Sequence, residues 1–409
     1  MPKLLIIGFV WPEPKSSAAG SRMMQLIQLF LNEGYSISFS SPCAKSDNAF
    51  NLEELGVDQI PIELNNPSFD AFISTLKPDV VLFDRFMMEE QFGWRVAEQC
   101  PDALRILDTE DLHCLRKGRE QAFKDNKPFD NSYLFRDIAK REIASIYRCD
   151  FSLIISEAEM SLLKKQFKIS DTLLHYLPFL MDEVSQSKHE LLPTFNERNH
   201  FVTIGNFLHP PNLDSVKFLK ESIWPKVRAQ LKTAELHVYG AYASEKVMQY
   251  QDQKNGLFIK GFADDVNEVM QNSRICLSPL RFGAGLKGKF FDAMYNGTPF
   301  ITTNIGAEGI INTNDNDDFV ADLVDDMVSS AINLYEDESL WNKQQELSFN
   351  LLSNKFNKKL HERKFLNKLE DALAKKEVNR LQNFTGAMLN FHTMQSTKYM
   401  SRWIEEKNK

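Results

Sequence analysis

The sequence predicts two α/β domains in tandem, each built on a parallel sheet with helices on both faces. Three observations lead there. Short apolar, β-rich runs alternate with amphipathic helical patterns from the first residues onward, and such alternation builds parallel sheets. The alternation pauses in a polar, turn-rich stretch, "EVSQSKHELLPTFNERN", and then restarts. Finally, 409 residues exceed what one core comfortably holds.

Taken in order, "KLLIIGFV" reads as a strand and "SRMMQLIQLFLNEG" as a helix, with Met23, Leu26, Ile27 and Phe30 on one face and Gly34 as its stop. "YSISFSSP", "VDQIPIEL", "PDVVLFD", "ALRILDT" and "CDFSLIIS" are further strands, and "LHYLPFLMD" is the last apolar run before the linker. After it come "HFVTIGN" (strand), "NLDSVKFLKESIWPKV" (helix), "AELHVYG" and "GLFIKGF" (strands) and "DDVNEVMQNS" (helix). "RICLSPL" (strand), "GKFFDAMYNG" (helix) and "TPFITT" (strand) complete the series. From about Asp325 the chain is helical and highly charged. The expected division is residues 1–181, a linker at 182–199, and a second domain at 200–375, with helices of 376–409 returning to the first domain and Trp403 packing there. A membrane contact or a partner surface is the alternative for that tail.

Composition narrows the function. The apolar content of 43% and charged content of 25% are those of a globular protein. A net charge of −8 leaves no excess of Lys and Arg for nucleic acid. The opening run "MPKLLIIGFVWPEP" is too short for a membrane span and lacks a signal cleavage site, so a buried first strand and a cytoplasmic setting are expected. Five scattered cysteines without ligand spacing read as reduced thiols, and the sequence offers no metal cluster.

The most informative stretch is "FGAGLKGKFFDAMYNGTPFITTNIGAEGI". Here "RFGAGLK" joins the carboxyl end of a strand to the start of a helix, the place where open α/β sheets bind ligands. Gly283 and Gly285 free the backbone to turn and present N–H groups to an anion, and the helix dipole adds to this. Lys287 and Lys289 bring positive charge to the same place. Asp292 sits about one turn into the helix. A diphosphate carrying a ribose suits such a set: lysine and amides for the phosphates, the carboxylate for the ribose hydroxyls. A plain turn with solvated lysines is the other reading.

This segment closely resembles the donor-binding region of the large retaining GT-B glycosyltransferase family numbered four. "HFVTIGNFLHPPNLDSVKFLKESIWPKV", "LHVYGAYA" and "GLFIKGFADDVNEVMQNSRICLSPL" also follow that family's pattern. The resemblance covers nearly all of the second domain and is looser in the first, where "WPEPKSSAAGSRMMQL" and "CDFSLIISEAEMSLL" match in character and order. It implies a GT-B fold of two Rossmann-like domains facing a cleft, and a nucleoside diphosphate sugar as donor. The backbone of Lys260, Gly261 and Phe262 would lie near the base. Gly283, Ala284, Gly285 and Leu286 would lie near the sugar and phosphates, Lys287 on the diphosphate and Asp292 on the ribose. Two features depart from the family. Ala284 stands where a glutamate is frequent, as it also does in a subgroup with a Gly-Ala-Gly-aliphatic-Lys loop. The arginine after the second domain's first strand is missing, which shifts phosphate binding toward Lys287.

On the first domain, Gly20 to Arg22 lie between a strand and a helix and would touch the diphosphate; capping of that helix by Ser17 or Ser21 is the alternative. "RILDTEDLHCLRKGR" ends another strand, and family relatives carry a histidine or acid there near the transferred sugar. That role falls to His113, with Asp111 as the alternative, against a plain surface histidine. Asp84 and Arg85 could face the acceptor, and Glu157 opens a helix. The expectation is therefore a glycosyltransferase acting with retention on an acceptor hydroxyl, in glycan or glycoconjugate synthesis. It needs no metal or other cofactor, and its acceptor is a glycan, a lipid-linked molecule or a protein. The cytoplasm, or the inner face of the membrane through peripheral contact, is the expected setting, and oligomeric state is open. An inverting transferase, a nucleotide-sugar epimerase and a non-catalytic nucleotide-sugar-binding protein are the alternatives.

Overall fold

The computed structural model describes residues 1–311 and 319–407. Residues 312–318 of the expected second domain and 408–409 of the expected tail lie outside it. Seven parallel strands form the first sheet: β1 (Lys3–Ile7), β2 (Ser36–Ser41), β3 (Asp58–Pro61), β4 (Val80–Asp84), β5 (Leu104–Asp108), β6 (Phe151–Ile154) and β7 (Leu174–Tyr176). Their order is β3-β2-β1-β4-β5-β6-β7. Both faces are covered, so the strands read as unbroken apolar runs rather than alternating ones. Leu5, Ile7, Val81, Phe83 and Leu107 pack into one core; Leu4, Ile6, Val80, Leu82 and Ile106 pack into the other.

The second sheet has five parallel strands: β8 (Asn199–Ile204), β9 (Leu236–Tyr239), β10 (Leu257–Gly261), β11 (Ser273–Ser278) and β12 (Phe300–Thr302), in the order β10-β9-β8-β11-β12. Chain direction across each sheet reverses beside its first strand, between β1 and β4 and between β8 and β11. Each reversal opens a crevice at the strands' carboxyl ends, where ligands of such sheets bind. The loops after β1, β4, β8 and β11 are therefore where a site belongs.

The expected linker is partly structured. It contains a short helix, Gln186–Leu191, and Arg198, which is fully buried and donates to Thr298 Oγ1 at 2.8 Å and the Asn296 carbonyl at 2.9 Å. The return to the first domain comes earlier than the expected residue 376. Helix Lys358–Ala374 already places Phe365, Leu369 and Ala372 in the first domain's core, and Phe365 meets Phe30 edge-on at 5.6 Å. Paired backbone bonds mark the crossing: Met181 N–H donates to the Phe356 carbonyl (3.0 Å) and Lys358 N–H to the Met181 carbonyl (2.9 Å).

The last helix, Phe384–Lys407, docks on the first domain, but not through the expected Trp403, which is 59% exposed. Its contact stripe is small and polar instead. Gly386 lies against the Tyr147 carbonyl, while Ser401 and Glu405 bind Arg95, which also donates to Asp70 at 2.8 Å. No helix of the described residues is long and apolar enough to cross a membrane.

Candidate functional site

The segment between β11 and helix Gly288–Tyr295 is the centre of the interdomain contact. Gly285 has φ +63° and Gly283 φ +153°, a region where L side chains are strained. Lys287 caps the helix by position and donates from Nζ to the Gly285 carbonyl at 2.8 Å. Lys289 donates to Asn212 Oδ1 at 2.9 Å. Asn212 follows β8, so this bond ties the two loops of the second crevice together. Burial lowers both lysines to about 8, against the pull of Glu308 on Lys287 and of Asp292 on Lys289. Burial raises the Asp292 carboxyl to about 7, with Lys289 opposing.

The first domain meets this loop with carboxylates. Glu159, fully buried, accepts from Gly285 N–H at 2.9 Å and from Leu112 N–H at 3.0 Å, both on Oε1. Its Oε2 is buried without a partner. Burial, reinforced by Asp111, raises this carboxyl to about 8. Arg119 grips Glu308 bidentately at 2.7 and 2.8 Å and donates to the Gly283 carbonyl at 2.9 Å. Further contacts across the cleft join Tyr242 to Glu13 (2.8 Å) and Phe123 to Phe282 (5.2 Å between rings). A β-carbon on Gly285 would lie 2.7 Å from Asp111 Cβ, and one on Gly288 2.7 Å from Ala18 Cβ.

His113 and Asp111 stand at the end of β5. His113 opens helix His113–Lys124 and is buried, its ring edge-on to Phe86 at 5.4 Å. Glu142 accepts from the backbone N–H of His113 and Cys114, both at 2.9 Å. His113 Nδ1 lies 3.2 Å from the Asp111 carbonyl. A carbonyl only accepts, so Nδ1 carries a proton in this contact, and it also lies 3.6 Å from a carboxylate oxygen of Asp111 and of Glu142. Asp111 is bound by Arg116 at 2.6 and 3.3 Å. Burial pushes its carboxyl up, but Arg116 and then His113 outweigh burial and hold it well below the usual range. His209, from the loop after β8, lies close enough to feel Arg116 and Asp111; burial lowers it to about 4, leaving it neutral.

Backbone strain concentrates here too. Arg85 (φ +69°) and Glu110 (φ +60°) end neighbouring strands in the left-handed region, a conformation costing on the order of 1–3 kcal/mol that clusters at functional sites. Burial, with Asp108 and Asp84 adding to it, keeps the Glu110 carboxyl well above the ordinary carboxylate range. Asp84 accepts from Phe9 N–H at 3.0 Å, which fixes the loop after β1.

The structure thus brings Gly285 against Asp111, with Lys287 within electrostatic reach of that carboxylate, His113 beside it and the Gly283 carbonyl held by Arg119. Ala284 packs into the first domain's core, so no acidic side chain could stand there without burial. Lys260 lays its ammonium 5.1 Å above the Phe258 ring, which leaves its backbone, with Gly261 (φ +76°) and half-exposed Phe262, at the end of β10.

Two expectations change. Arg22 does not face the cleft: it is 1% exposed, binds Asp108 at 2.9–3.1 Å and donates to the Leu177 carbonyl at 2.8 Å. Gly20 is a packing glycine, because a β-carbon would lie 2.4 Å from the Glu13 backbone, and its N–H is capped by Ser17 Oγ at 3.0 Å. The helix-capping alternative therefore describes this stretch. Residues that sequence reasoning passed over are Glu159, Glu308, His209 and Asn212. Glu159 stands two positions beyond Glu157, which pairs with Lys355 at 3.1 Å instead.

Residues 198–337 match the family model described as Glycosyl transferases group 1. That match spans β8 to β12 and includes the loop from Gly283 to Lys287. The fold of the whole chain agrees, since solved glycosyltransferases of GT-B architecture superpose on both domains. Sucrose-phosphate synthase from Thermosynechococcus elongatus has a TM-score of 0.66 at 13% identity, covering 91% of this chain and 100% of that one. Anabaena HepE in complex with UDP and glucose gives 0.65 at 11% identity, covering 90% and 100%. An S. aureus TarM mutant in complex with fondaparinux, alpha-GlcNAc-glycerol and UDP gives 0.56 at 14% identity over 73% of this chain, which spans 57% of that longer one. No curated protein matches the sequence. The second domain thus contributes the loop from Gly283 to Lys287, and the first domain meets it through Asp111, Arg119 and Glu159.

Proposed function

We propose that the protein transfers a sugar from a nucleoside diphosphate donor to an acceptor hydroxyl with retention of anomeric configuration. The observation that carries this reading is the Gly283–Lys287 loop, at the crevice of the second domain and in contact with the first domain's Asp111. Lys287 and the loop amides serve the diphosphate, Asp292 the ribose hydroxyls, and the backbone of Lys260 to Phe262 the base. UDP is the first nucleotide to try, because HepE and TarM are both described with it.

In the proposed reaction the bond from the anomeric carbon to the diphosphate oxygen breaks as the acceptor oxygen bonds to that carbon on the same face. The acceptor proton passes to the departing diphosphate. Positive charge grows on the sugar and negative charge on the leaving group, so positioning and electrostatic stabilisation account for most of the catalysis. Lys287, whose ammonium sits on a loop carbonyl, supplies charge to the leaving group. His113, held by the Asp111 carbonyl, offers Nε2 to a sugar hydroxyl. No metal is assigned to this chemistry. The acceptor is a glycan, a lipid-linked molecule or a protein, met in the cytoplasm. The exposed apolar side chains of Phe384, Met388, Phe391, Tyr399 and Trp403 on the last helix support a peripheral membrane contact.

Thermal stabilisation by UDP-, GDP- and ADP-sugars tests the reading, followed by product analysis. One donor class should raise the melting temperature, with about 2.7 kcal/mol of added stability at 100 times its dissociation constant. An α-linked donor should give an α-linked product. Absence of stabilisation by every donor, together with no donor turnover, would refute the assignment; an inverted product would refute retention alone.

A further inference from the structure

At the other end of the second sheet, three side chains with metal-ligating atoms converge. His200 is the second residue of β8; Glu235 immediately precedes β9 and His237 lies within it. Register places them there. Phe201 pairs with Leu236 and Val202 with His237, and the Phe201 N–H donates to the Glu235 carbonyl at 2.8 Å. These are amino-terminal strand ends, whereas the cleft lies at the carboxyl ends. The group is therefore separate from the donor site.

We propose that His200, Glu235 and His237 bind one divalent cation of the zinc class. Each offers one ligand atom, and the three atoms lie within 4.8 Å of one another. His237 Nε2 is 2.8 Å and His200 Nδ1 3.6 Å from the same oxygen, Glu235 Oε2. Tetrahedral zinc with bonds of about 2.0–2.1 Å holds its ligand atoms roughly 3.4 Å apart. The two spacings to Glu235 Oε2 bracket that value. Two imidazoles and a carboxylate favour zinc, copper or nickel over calcium or magnesium, which prefer oxygen.

Two further observations support a built site rather than a chance cluster. His200 adopts φ +64° near the start of the strand, a left-handed conformation uncommon for a non-glycine residue. The two imidazoles lie with ring centres 4.2 Å apart and planes 32° from parallel, with His237 edge-on to Phe258 at 5.7 Å. One flank of the cluster is thus aromatic, while the His200 and Glu235 side chains remain partly exposed. A bound cation would staple β8 to β9 where the chain enters the second domain. Lys260 and Arg274 are the positive groups near the cluster and limit its affinity.

The test uses the full-length protein, stripped with a chelator and exchanged into metal-free buffer. Zinc chloride is titrated calorimetrically, and cobalt(II) is added separately to read its visible absorption. One equivalent of zinc should bind, the melting temperature should rise, and cobalt should give the intense bands of a tetrahedral N/O site. His237→Ala and His200→Ala should each weaken zinc roughly tenfold or more, Glu235→Gln less so. Circular dichroism checks that the variants are folded; if one is not, His237→Asn replaces it. The proposal fails if zinc does not bind the unmutated protein, or binds the folded His200/His237 double variant equally well. Nucleotide-sugar binding should be unchanged in His237→Ala, so this test stands apart from that of the donor site.

Discussion

Replacing Glu159 separates its two jobs, accepting hydrogen bonds across the domain boundary and holding a buried proton. Oε1 receives the N–H of Leu112 from its own domain and of Gly285 from the other. Glu159→Ala leaves both donors buried and unpaired, at roughly 1–3 kcal/mol each, so a loss of roughly 2–6 kcal/mol is expected. Glu159→Gln keeps a carbonyl oxygen in place and should cost little at neutral pH, where the native carboxyl is largely protonated. The pH dependence carries the sign. The native carboxyl titrates at about 8 against an ordinary 4.5. Between those values the folded protein keeps a proton that the unfolded chain has lost. The stabilisation is complete below about 4.5, declines by up to roughly 1.4 kcal/mol per pH unit, and is gone above about 8. Urea-unfolding midpoints of the unmutated protein and Glu159→Gln, measured from pH 5 to 9, should therefore diverge in favour of the glutamine variant as pH rises. Parallel profiles, or a loss under about 1 kcal/mol for Glu159→Ala, would refute the view that a protonated Glu159 joins the domains.

The donor-site residues should fail in different ways. Lys287→Ala removes a charged partner worth roughly 1.5–3 kcal/mol to the diphosphate, so calorimetry should show weaker nucleotide binding, and kcat should fall further as the leaving group gains charge. In the unmutated protein, nucleotide affinity should drop as pH rises through about 8, where Lys287 loses its proton; this drop should be absent in Lys287→Ala. Asp292→Asn should raise the dissociation constant of every donor sharing the ribose with little change in kcat. It should also remove the weakening expected in the unmutated protein as pH falls through about 7. His113→Ala should cut turnover and leave affinity for the free nucleoside diphosphate nearly intact; equal loss of both would make His113 a packing residue.

How much of this was legible in the sequence depends on the range of the interaction. The apolar strands announced themselves because both sheet faces are buried, and eleven of the twelve were legible as individual runs; β7, only three residues long, was not separable from the apolar stretch around it. The loop from Gly283 to Lys287 was visible because its glycines and lysines are adjacent in sequence. Arg22 was misread for the opposite reason: its partner Asp108 lies 86 positions away. Glu159 had no local signal, since its function as an acceptor exists only when a glycine 126 residues later reaches it. The boundary near residue 357 was missed because helix Lys358–Ala374 looks charged in sequence, with few residues (Phe365, Leu369 and Ala372 among them) facing the first domain.

Gly285 shows how one residue can be read correctly for an incomplete reason. The sequence suggested that glycine lets the backbone approach an anion. The structure adds a second close approach, with the place of its missing β-carbon 2.7 Å from Asp111 Cβ, on a backbone at φ +63°. Both demands exclude a side chain, so loss of nucleotide binding in Gly285→Val would not tell them apart. Stability without nucleotide does. Contact with Asp111 and the left-handed backbone act in the protein by itself, so Gly285→Ala should lower the urea midpoint before any donor is added, by on the order of 1 kcal/mol from the backbone alone. Shortening the partner gives the control. In an Asp111→Gly background the clash disappears while the φ penalty stays, so Gly285→Ala should become less costly there by the amount the clash contributed. If Gly285→Ala costs the same in both backgrounds, Asp111 does not meet this loop in solution, and the glycine is kept for its left-handed backbone and the ligand.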